Sequence, residues 1–231
     1  MRVATWNLER KRPTTPTGAA GVAHLTSLDA EILVLTESRV SFPAGDGHLV
    51  ASRSWGDTDE RKVVMWSARP WTAVDDVGAT DLPPGRFVAA TTETSIGAVR
   101  VVGVCIAWHM ANVRFGERNK RPWEDHLTYC RVLERLLATE RDSPLIVAGD
   151  YNQRLPSPRP TRAEAVALAS SLASVEVLTA GVVEGCDRPG IDHIAVRGLD
   201  ATSVWGWPSV VGGVRCSDHG GVAADLALAA T

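Results

Sequence analysis

The chain has 231 residues, of which 45% are hydrophobic and 22% are charged, and its formal net charge is −3. This composition is that of a globular protein with a sizeable core. It excludes a disordered chain and a protein coated in positive charge. The length predicts one domain spanning residues 1–231.

Cysteine usage and hydropathy bear on the cellular compartment. The four cysteines are scattered without a CxxC pair, and no stretch has the layout of a signal peptide. We therefore expect a reduced, cytoplasmic protein. The longest apolar runs fall short of the roughly 20 residues that a membrane-spanning helix needs, which predicts no membrane segment.

The first part of the chain predicts strands that stop at polar residues. Residues 2–6 are β-like and stop at Asn7, and the spacing of apolar residues over 21–28 predicts a short amphipathic helix. Residues 32–35 predict a buried strand that ends at Thr36-Glu37-Ser38.

The middle of the chain predicts a loop, a strand and a hairpin. Glycine and acidic residues over 43–61 indicate an exposed loop before a strand over 62–66. Residues 86–93 and 98–108 predict an antiparallel pair whose second strand ends at His109.

The remaining elements surround the most informative stretch. A helical apolar stripe over 123–137 leads to a buried strand that ends in Gly149-Asp150-Tyr151-Asn152. A capping-box pattern at 161–164 predicts a helix through about residue 173, and residues 190–196 and 220–228 predict the last strands. Hairpins mixed with helical crossovers favour two mixed sheets covered by helices over one all-parallel sheet.

Polar side chains stand at six predicted strand ends, where they can converge on one rim of the sheets. These residues are Asn7, Glu37, His109, Asp150 with Asn152, Asp192, and Ser217-Asp218-His219. The set is rich in oxygen ligands and free of thiolate, so it suits a hard cation such as Mg²⁺ or Mn²⁺. It could supply charge stabilisation and an activated water for phosphoryl transfer.

Other interpretations of single residues stay open at this point. Asp150 and Asn152 could merely cap backbone groups in a loop, Glu37 could be a solvated charge, and Asn7 a turn residue. Two basic segments are either solvated loops or the lining of a phosphate-backbone groove. They comprise Arg10-Lys11-Arg12, and Arg114, Arg118, Lys120 and Arg121.

The tryptophans are expected in the core rather than as platforms for bases, although one exposed tryptophan near the site would matter. Those considered are Trp55, Trp66, Trp71, Trp108 and Trp123. Three histidines lie in no motif, and His126 is expected at the surface or half-buried; the other two are His24 and His48.

Taken together, the motifs resemble the endonuclease/exonuclease/phosphatase superfamily, which includes DNase I-like nucleases. The resemblance runs nearly end to end. Its carriers, in the family's order, are Thr5-Trp6-Asn7, Leu35-Thr36-Glu37, the strand into His109, Gly149-Asp150-Tyr151-Asn152, Ile191-Asp192-His193 and Ser217-Asp218-His219. The resemblance implies a four-layer sandwich: two mixed, mostly antiparallel β-sheets packed face to face with helices on the outside.

The resemblance also implies roles for the metal and the nucleophile. Glu37, helped by Asn7 and Asp218, resembles the metal site that neutralises a phosphate oxygen. Asp150 resembles the residue that orients and deprotonates the attacking water, and Asn152 the amide that holds this water and the phosphate in line.

On the opposite side of the phosphate, Asp192 would orient His219, whose ring would contact the phosphate. An aspartate beside a histidine fixes its tautomer and favours its protonated form, which suits contact with an anion. His109 matches a family position that contacts phosphate or the leaving oxygen. Glu9 and His193 depart from the family pattern, and His193 could touch substrate or simply pack.

We therefore expect a Mg²⁺- or Mn²⁺-dependent phosphodiesterase that acts on nucleic acid, as an endo- or exonuclease. The alternative is a phosphatase or phospholipase-like member of the same superfamily that acts on another substrate. A third hypothesis is a non-catalytic binding module that kept the fold.

Overall fold

A computed structural model describes residues 1–42, 46–54, 57–113, 120–140 and 144–230 of the chain. These residues form two six-stranded sheets, a two-stranded ribbon and three helices. No helix among them is long and apolar enough to cross a membrane.

The first sheet contains both ends of the described chain. Its strands are, in order across the sheet, β11 (Leu199–Trp207), β14 (Gly221–Leu228), β1 (Arg2–Asn7), β2 (Ile32–Arg39), β4 (Glu60–Ser67) and β3 (His48–Ala51). Only β1 and β2 run parallel; the other neighbours are antiparallel.

The second sheet is built from the middle of the chain. Its order is β5 (Trp71–Asp75), β6 (Phe87–Thr94), β7 (Gly97–Cys105), β8 (Leu145–Asp150), β10 (Asp192–Arg197) and β9 (Glu176–Val177). Here β7 and β8 are the parallel pair. The ribbon consists of β12 (Val210–Val211) and β13 (Val214–Arg215). The predicted pair of mixed, mostly antiparallel sheets is confirmed.

Alternation along the strands separates the layers. Val3 and Ile146 belong to the core between the two sheets, whereas Ala4 and Trp6 belong to the core on the outer face of the first sheet. The helix α1 (Pro16–Ser27) covers that outer face through Leu25. The helices α2 (Glu124–Thr139) and α3 (Ala163–Ser171) cover the outer face of the second sheet. The result is the expected sandwich of helices, sheet, sheet and helices.

The same alternation positions two predicted site residues. Asn7 follows Val3 and Thr5 on the inward face of β1, and Asp150 follows Ile146 and Ala148 on the inward face of β8. Both side chains therefore lie at the rim of the gap between the sheets. This rim is where the site forms.

Gly149 allows β8 to approach β7 just before this rim. Its φ is +138°, and a Cβ atom there would lie 1.9 Å from the carbonyl oxygen of Val104. Only glycine fits this backbone position. Steric contact with β7 thus restricts the position before Asp150 to glycine.

Several predicted boundaries were wrong. The expected loop over 43–61 contains β3, although its residues 43–45 and 55–56 lie outside the described ones. The strand expected to reach Trp108 ends at Cys105, because His109 belongs to the turn that follows. The capping box at Thr161 does not form: Arg162 is the N-cap of α3 and makes no side-chain capping bond.

Candidate active site

The rim of the inter-sheet gap brings Asn7 and Asp150 into direct contact. The Asn7 Nδ2 group donates a hydrogen bond to Asp150 Oδ2 at 3.0 Å, and both residues are buried. The other end of the amide is also engaged, since the backbone N–H of Glu9 donates to Asn7 Oδ1 at 2.9 Å. Asn7 is therefore held at both ends and in turn orients the Asp150 carboxylate.

Asp150 also meets Asp192 and His219. Asp150 and Asp192 stand opposite each other in the antiparallel register of β8 and β10. His219 Nδ1 donates to Asp192 Oδ2 at 3.1 Å. One ligand atom from each of the three residues lies within 4.8 Å of the others. Two carboxylates directly opposed across a strand pair repel each other. The repulsion is relieved when the neighbouring His219 carries a positive charge, so this placement favours the imidazolium form.

The backbone of His219 is fixed by two buried side chains. Ser217 Oγ donates to the carbonyl oxygen of Asn7 at 2.5 Å and accepts from the His219 N–H at 3.1 Å. Trp6 Nε1 donates to the His219 carbonyl oxygen at 2.9 Å. The entry to β14 is thereby tied to the end of β1, and the Ser-Asp-His motif is held against the Thr-Trp-Asn motif.

The electrostatics of the cluster suit a proton transfer. Burial, and then the charge of Asp192, raise the pKa of Asp150 to about 7, while His219 opposes the rise. Burial disfavours the His219 imidazolium, but Asp192, Asp150 and Asp218 outweigh it and raise the pKa of His219 to about 10. At neutral pH, Asp150 is poised to exchange a proton and His219 is cationic.

Asp218 lies on the solvent side of this cluster. Its Oδ1 is 3.7 Å from His219 Nε2, and 47% of its side chain is exposed. It is therefore accessible to a ligand in solution, unlike the buried Asp192.

Glu37 sits in a separate basic environment on β2. Lys62 Nζ lies 2.6 Å from its Oε1 and Arg10 Nε lies 3.4 Å from its Oε2. Burial would raise the pKa of Glu37, but Lys62, Arg10 and Arg86 together lower it. The carboxylate is thus ionised and one quarter exposed. Among the described residues, its side chain forms hydrogen bonds or ion pairs with Lys62 and Arg10, and none with Asp150, Asp192 or His219.

Asn152 forms a tight turn after β8. Its φ is +53°, its backbone N–H donates to Asp150 Oδ1 at 2.8 Å, and its Nδ2 donates to the Ile106 carbonyl oxygen at 2.8 Å. The backbone capping considered for Asp150 does occur, in addition to the contacts that place it in the cluster. Ile106 N–H in turn donates to the Asp150 carbonyl oxygen at 2.8 Å.

His109 is not brought into the cluster by any contact within the described ranges. It is exposed, and its ring packs against Trp108 at 5.1 Å and Trp123 at 5.6 Å between ring centroids. It lies on the segment that follows Ile106, whose N–H donates to the Asp150 carbonyl oxygen.

The basic segments are partly neutralised by carboxylates. Arg10 pairs with Glu37, Lys11 Nζ lies 3.1 Å from Glu9 Oε2, and Lys120 pairs with the start of α2. Glu9 therefore faces a lysine. Arg114 and Arg118 lie outside the described residues, as does Trp55.

Two buried histidines support the loop that follows Asp150. His126 was expected at the surface or half-buried, yet it is fully buried. Its Nδ1 contacts the Ala107 carbonyl oxygen at 2.7 Å and its Nε2 contacts Gln153 Nε2 at 2.6 Å. His193 packs rather than facing solvent, with Nε2 at 3.1 Å from the Gln153 carbonyl oxygen and Nδ1 at 3.1 Å from Thr179 Oγ1. Sequence reasoning missed Gln153 and His126, because their only signal was adjacency to the Asp-Tyr-Asn turn and position in a helix.

The donor set fits a hard divalent cation. Buried Asp192 Oδ1 has no hydrogen-bond partner among the described atoms, and the nearby donors are carboxylate oxygens and an imidazole. Two partly exposed carboxylates flank these residues in the chain: Glu37 follows Thr36, which pairs with Asn7, and Asp218 precedes His219.

The stacked mixed sheets and a carboxylate–histidine rim define a DNase I-like sandwich. The chain belongs to the Endonuclease/Exonuclease/phosphatase family, whose model matches residues 4–219. The match confirms the family that the motifs resemble, and it shows that the protein is a hydrolase of phosphoester bonds. A comparison with curated proteins gives no match.

Solved structures with the same fold are numerous and distant in sequence. One is the 3′ phosphatase NExo from Neisseria bound to a product DNA hairpin, with 21% identity, a TM-score of 0.70, and coverage of 97% of this chain and 98% of that chain. Another is the Xenopus laevis APE2 catalytic domain, with 16% identity, a TM-score of 0.69, and coverage of 100% and 94%. A third is the endonuclease domain of the retrotransposon TRAS1, with 20% identity, a TM-score of 0.61, and coverage of 98% of each chain. At these identities the similarity establishes the fold.

Proposed function

We propose that this protein is a divalent-metal-dependent phosphodiester hydrolase that cleaves nucleic acid. The observation that carries the proposal is the buried group of Asp150, Asp192 and His219, held by Asn7 at the rim between the sheets. Family membership supports the reaction class. A solved structure of the same fold that contains DNA, NExo bound to its product DNA hairpin, supports nucleic acid as the substrate class.

Asp150 is the general base of the proposed reaction. Its pKa of about 7 lets it accept a proton from water near neutral pH. Asn7 fixes one carboxylate oxygen and the Asn152 backbone fixes the other, so the acceptor is preorganised. We assign Asn152 to hold the attacking water and the phosphate in line.

His219 is the cationic contact to the phosphate. Asp192 accepts its Nδ1–H, which leaves Nε2–H directed elsewhere, on the side of Asp218. The imidazolium stabilises negative charge that builds on the non-bridging or leaving oxygen. His109 is assigned to the same phosphate or leaving oxygen from the other edge.

Glu37, Asn7 and Asp218 are assigned to hold Mg²⁺ or Mn²⁺. When bound, the cation neutralises a phosphate oxygen as a Lewis acid. Glu37 and Asp218 are both partly exposed, and Glu37 is kept ionised by its basic neighbours. Asn7 contributes through its orientation of Asp150 as well as through its amide oxygen.

We also propose that residues 1–231 form a single domain, because one core between the sheets contains residues from Val3 to Leu226. A reducing, cytoplasmic location remains a proposal supported by the four free cysteines, three of which are buried.

The test is cleavage of plasmid and single-stranded oligonucleotides with Mg²⁺, with Mn²⁺ and with EDTA. Asp150→Asn should lower the rate at least about 100-fold, the usual minimum for loss of a general base. Asp200→Asn is the matched control, since Asp200 is an exposed aspartate on β11, and it should leave the rate unchanged.

Activity that is indifferent to EDTA and to Asp150→Asn would refute the mechanism. Hydrolysis of a phospholipid or a small phosphate ester without nucleic-acid cleavage would favour the phosphatase or phospholipase-like alternative. Absence of turnover together with absence of Mg²⁺ or Mn²⁺ heat in calorimetry would favour the binding module.

A further inference from the structure

Trp108 is the only exposed tryptophan, tyrosine or phenylalanine in the part of the chain that the structure describes. Its side chain is 36% exposed, whereas Trp6 and Trp207 are buried and the remaining described tryptophans are half-buried. The exposed third of this residue forgoes part of the burial that usually stabilises an indole. The exposed part of the indole is therefore available for contact with a ligand.

The segment that carries Trp108 is attached to the proposed catalytic turn. Ile106 N–H donates to the Asp150 carbonyl oxygen and Ile106 C=O accepts from Asn152 Nδ2, each at 2.8 Å. Trp108 follows two residues later. The backbone that carries the indole therefore leaves the turn of Asp150 and Asn152 only two residues before Trp108.

A chain of rings holds Trp108 in place. Trp108 contacts His109 edge-to-face at 5.1 Å, His109 contacts Trp123 at 5.6 Å, and Trp123 contacts His126 at 5.0 Å. The far end of this chain is anchored, because the fully buried His126 bonds to the carbonyl oxygen of Ala107, the residue before Trp108. A ring that is already immobilised loses little conformational entropy when a ligand stacks on it.

The chemistry of such a ring matches a nucleobase. Every base has a π-face, and stacking on tryptophan needs no hydrogen-bond readout of sequence. In a duplex both faces of an internal base are already covered by its neighbours, so only an unstacked base is free to use the ring. The exposed Arg121 lies two residues before Trp123, whose N–H donates to the His109 carbonyl oxygen, so it adds a positive charge to the segment beside Trp108 and His109.

We propose that Trp108 is a stacking platform for an unpaired nucleobase next to the scissile phosphate. The substrate class is therefore single-stranded nucleic acid, or a duplex with a frayed or unpaired stretch at the cleavage point. This inference rests on the proposed function, which it narrows from nucleic acid in general to substrates with an unstacked base.

The test measures binding apart from cleavage. Anisotropy of a labelled single-stranded oligonucleotide in EDTA at low salt gives Kd for the wild type, Trp108→Ala and Trp108→Phe. Loss of one base–aromatic stack predicts binding weaker by roughly 5- to 150-fold for Trp108→Ala. Trp108→Phe should restore most of it, and the fully paired duplex should change less than about twofold. Trp71→Ala is the control, since Trp71 pairs with Thr92 away from the rim.

A second arm locates the base. Single abasic residues are placed in turn along the oligonucleotide, and one position should reproduce the loss seen with Trp108→Ala. In the Trp108→Ala protein the same abasic position should cost nothing further, because both changes remove one stack. A far-ultraviolet circular dichroism spectrum equal to the wild type's shows that each variant folds, and Trp108→Phe tests the ring should Trp108→Ala unfold.

Equal losses of single-stranded and duplex binding, an unchanged Kd for Trp108→Ala, or a wild type without measurable affinity for oligonucleotides would each overturn the stacking platform. If Trp108→Ala leaves Kd unchanged and the protein still cleaves nucleic acid with metal, the stacking platform is refuted and the proposed hydrolase is not. Stacking without any cleavage would instead refute the proposed hydrolase.

Discussion

Replacing Asp192 by asparagine removes the charge that holds the His219 proton. Asp192 is buried and its Oδ2 lies 3.1 Å from His219 Nδ1. Two unit charges at this distance attract by about 5 kcal/mol at an effective dielectric constant of ~20, which corresponds to roughly 4 pH units. Burial of the imidazolium opposes this attraction and the charges of Asp150 and Asp218 add to it, so that the pKa of His219 is raised to about 10. We expect Asp192→Asn to lower the pKa of His219 by roughly 2 to 4 pH units.

The assay is an NMR titration of the histidine ring protons in EDTA, with the His219 signal assigned from His219→Gln. Asp218→Asn is the matched control: its carboxylate lies 3.7 Å from Nε2 but is 47% exposed, so water screens the charge. Its effect should be below about one pH unit. Equal effects of the two substitutions, or a wild-type His219 that titrates near 6.5, would refute the reasoning.

The same shift has a consequence for folding. Because the pKa of His219 is raised in the folded state, its stabilising contribution is complete below the unfolded value of about 6.5 and is lost as the pH rises through about 10. Urea unfolding between pH 7 and pH 10 should show wild-type stability falling more steeply than that of Asp192→Asn. Parallel curves would contradict the linkage.

Three further substitutions test the framework of the site. Asn7→Ala removes the side-chain donor to buried Asp150 Oδ2, so the free energy of unfolding should fall by about 1–3 kcal/mol in urea melts. Asp200→Ala, at an exposed position on β11, is the remote control and should change it by less than about 0.5 kcal/mol. Burial lowers the pKa of His126, so its stabilising contribution is present above about pH 6.5 and is lost as the pH falls. The free energy of unfolding should therefore decline less from pH 7 to pH 5 in His126→Asn than in the wild type, and equal slopes would contradict this role of His126. Gly149→Ala should unfold the protein or cost at least about 3 kcal/mol in denaturant melts, whereas Gly97→Ala, where a Cβ meets no atom within 4 Å, should cost clearly less.

The sheets were predictable where local pattern and tertiary structure agree. Residues 2–6, 32–35 and 86–93 are rich in apolar and β-branched side chains; the first two ranges lie within β1 and β2, and the third coincides with β6 from Phe87 onward. The edge strand β3 and the long β11 were missed because their exposed residues lack clean alternation, and β11 carries a register shift between Ala201 and Ser203.

The site could be predicted as an inventory but not as a set of contacts. The motifs indicated that Asp150, Asp192 and His219 belong together, and their atoms do cluster. The ion pairs of Glu37 with Lys62 and Arg10 join residues from different elements, which no spacing in the sequence reveals. The burial of His126 also depends on Gln153 from another loop, so a lone helical histidine gave no sign of it.

The tie between Ser217 and Asn7 has a consequence for biosynthesis. It joins the exit of β1 to the entry of β14, and β14 inserts between β11 and β1 to complete the first sheet. A ribosome-bound nascent chain therefore contains Asn7 and Asp150 long before His219 and β14 have been synthesised. Such long-range pairing forms late, because loop closure must precede it. A nascent chain of this phosphoester hydrolase should therefore remain inactive until residue 219 and the strand after it have left the ribosome.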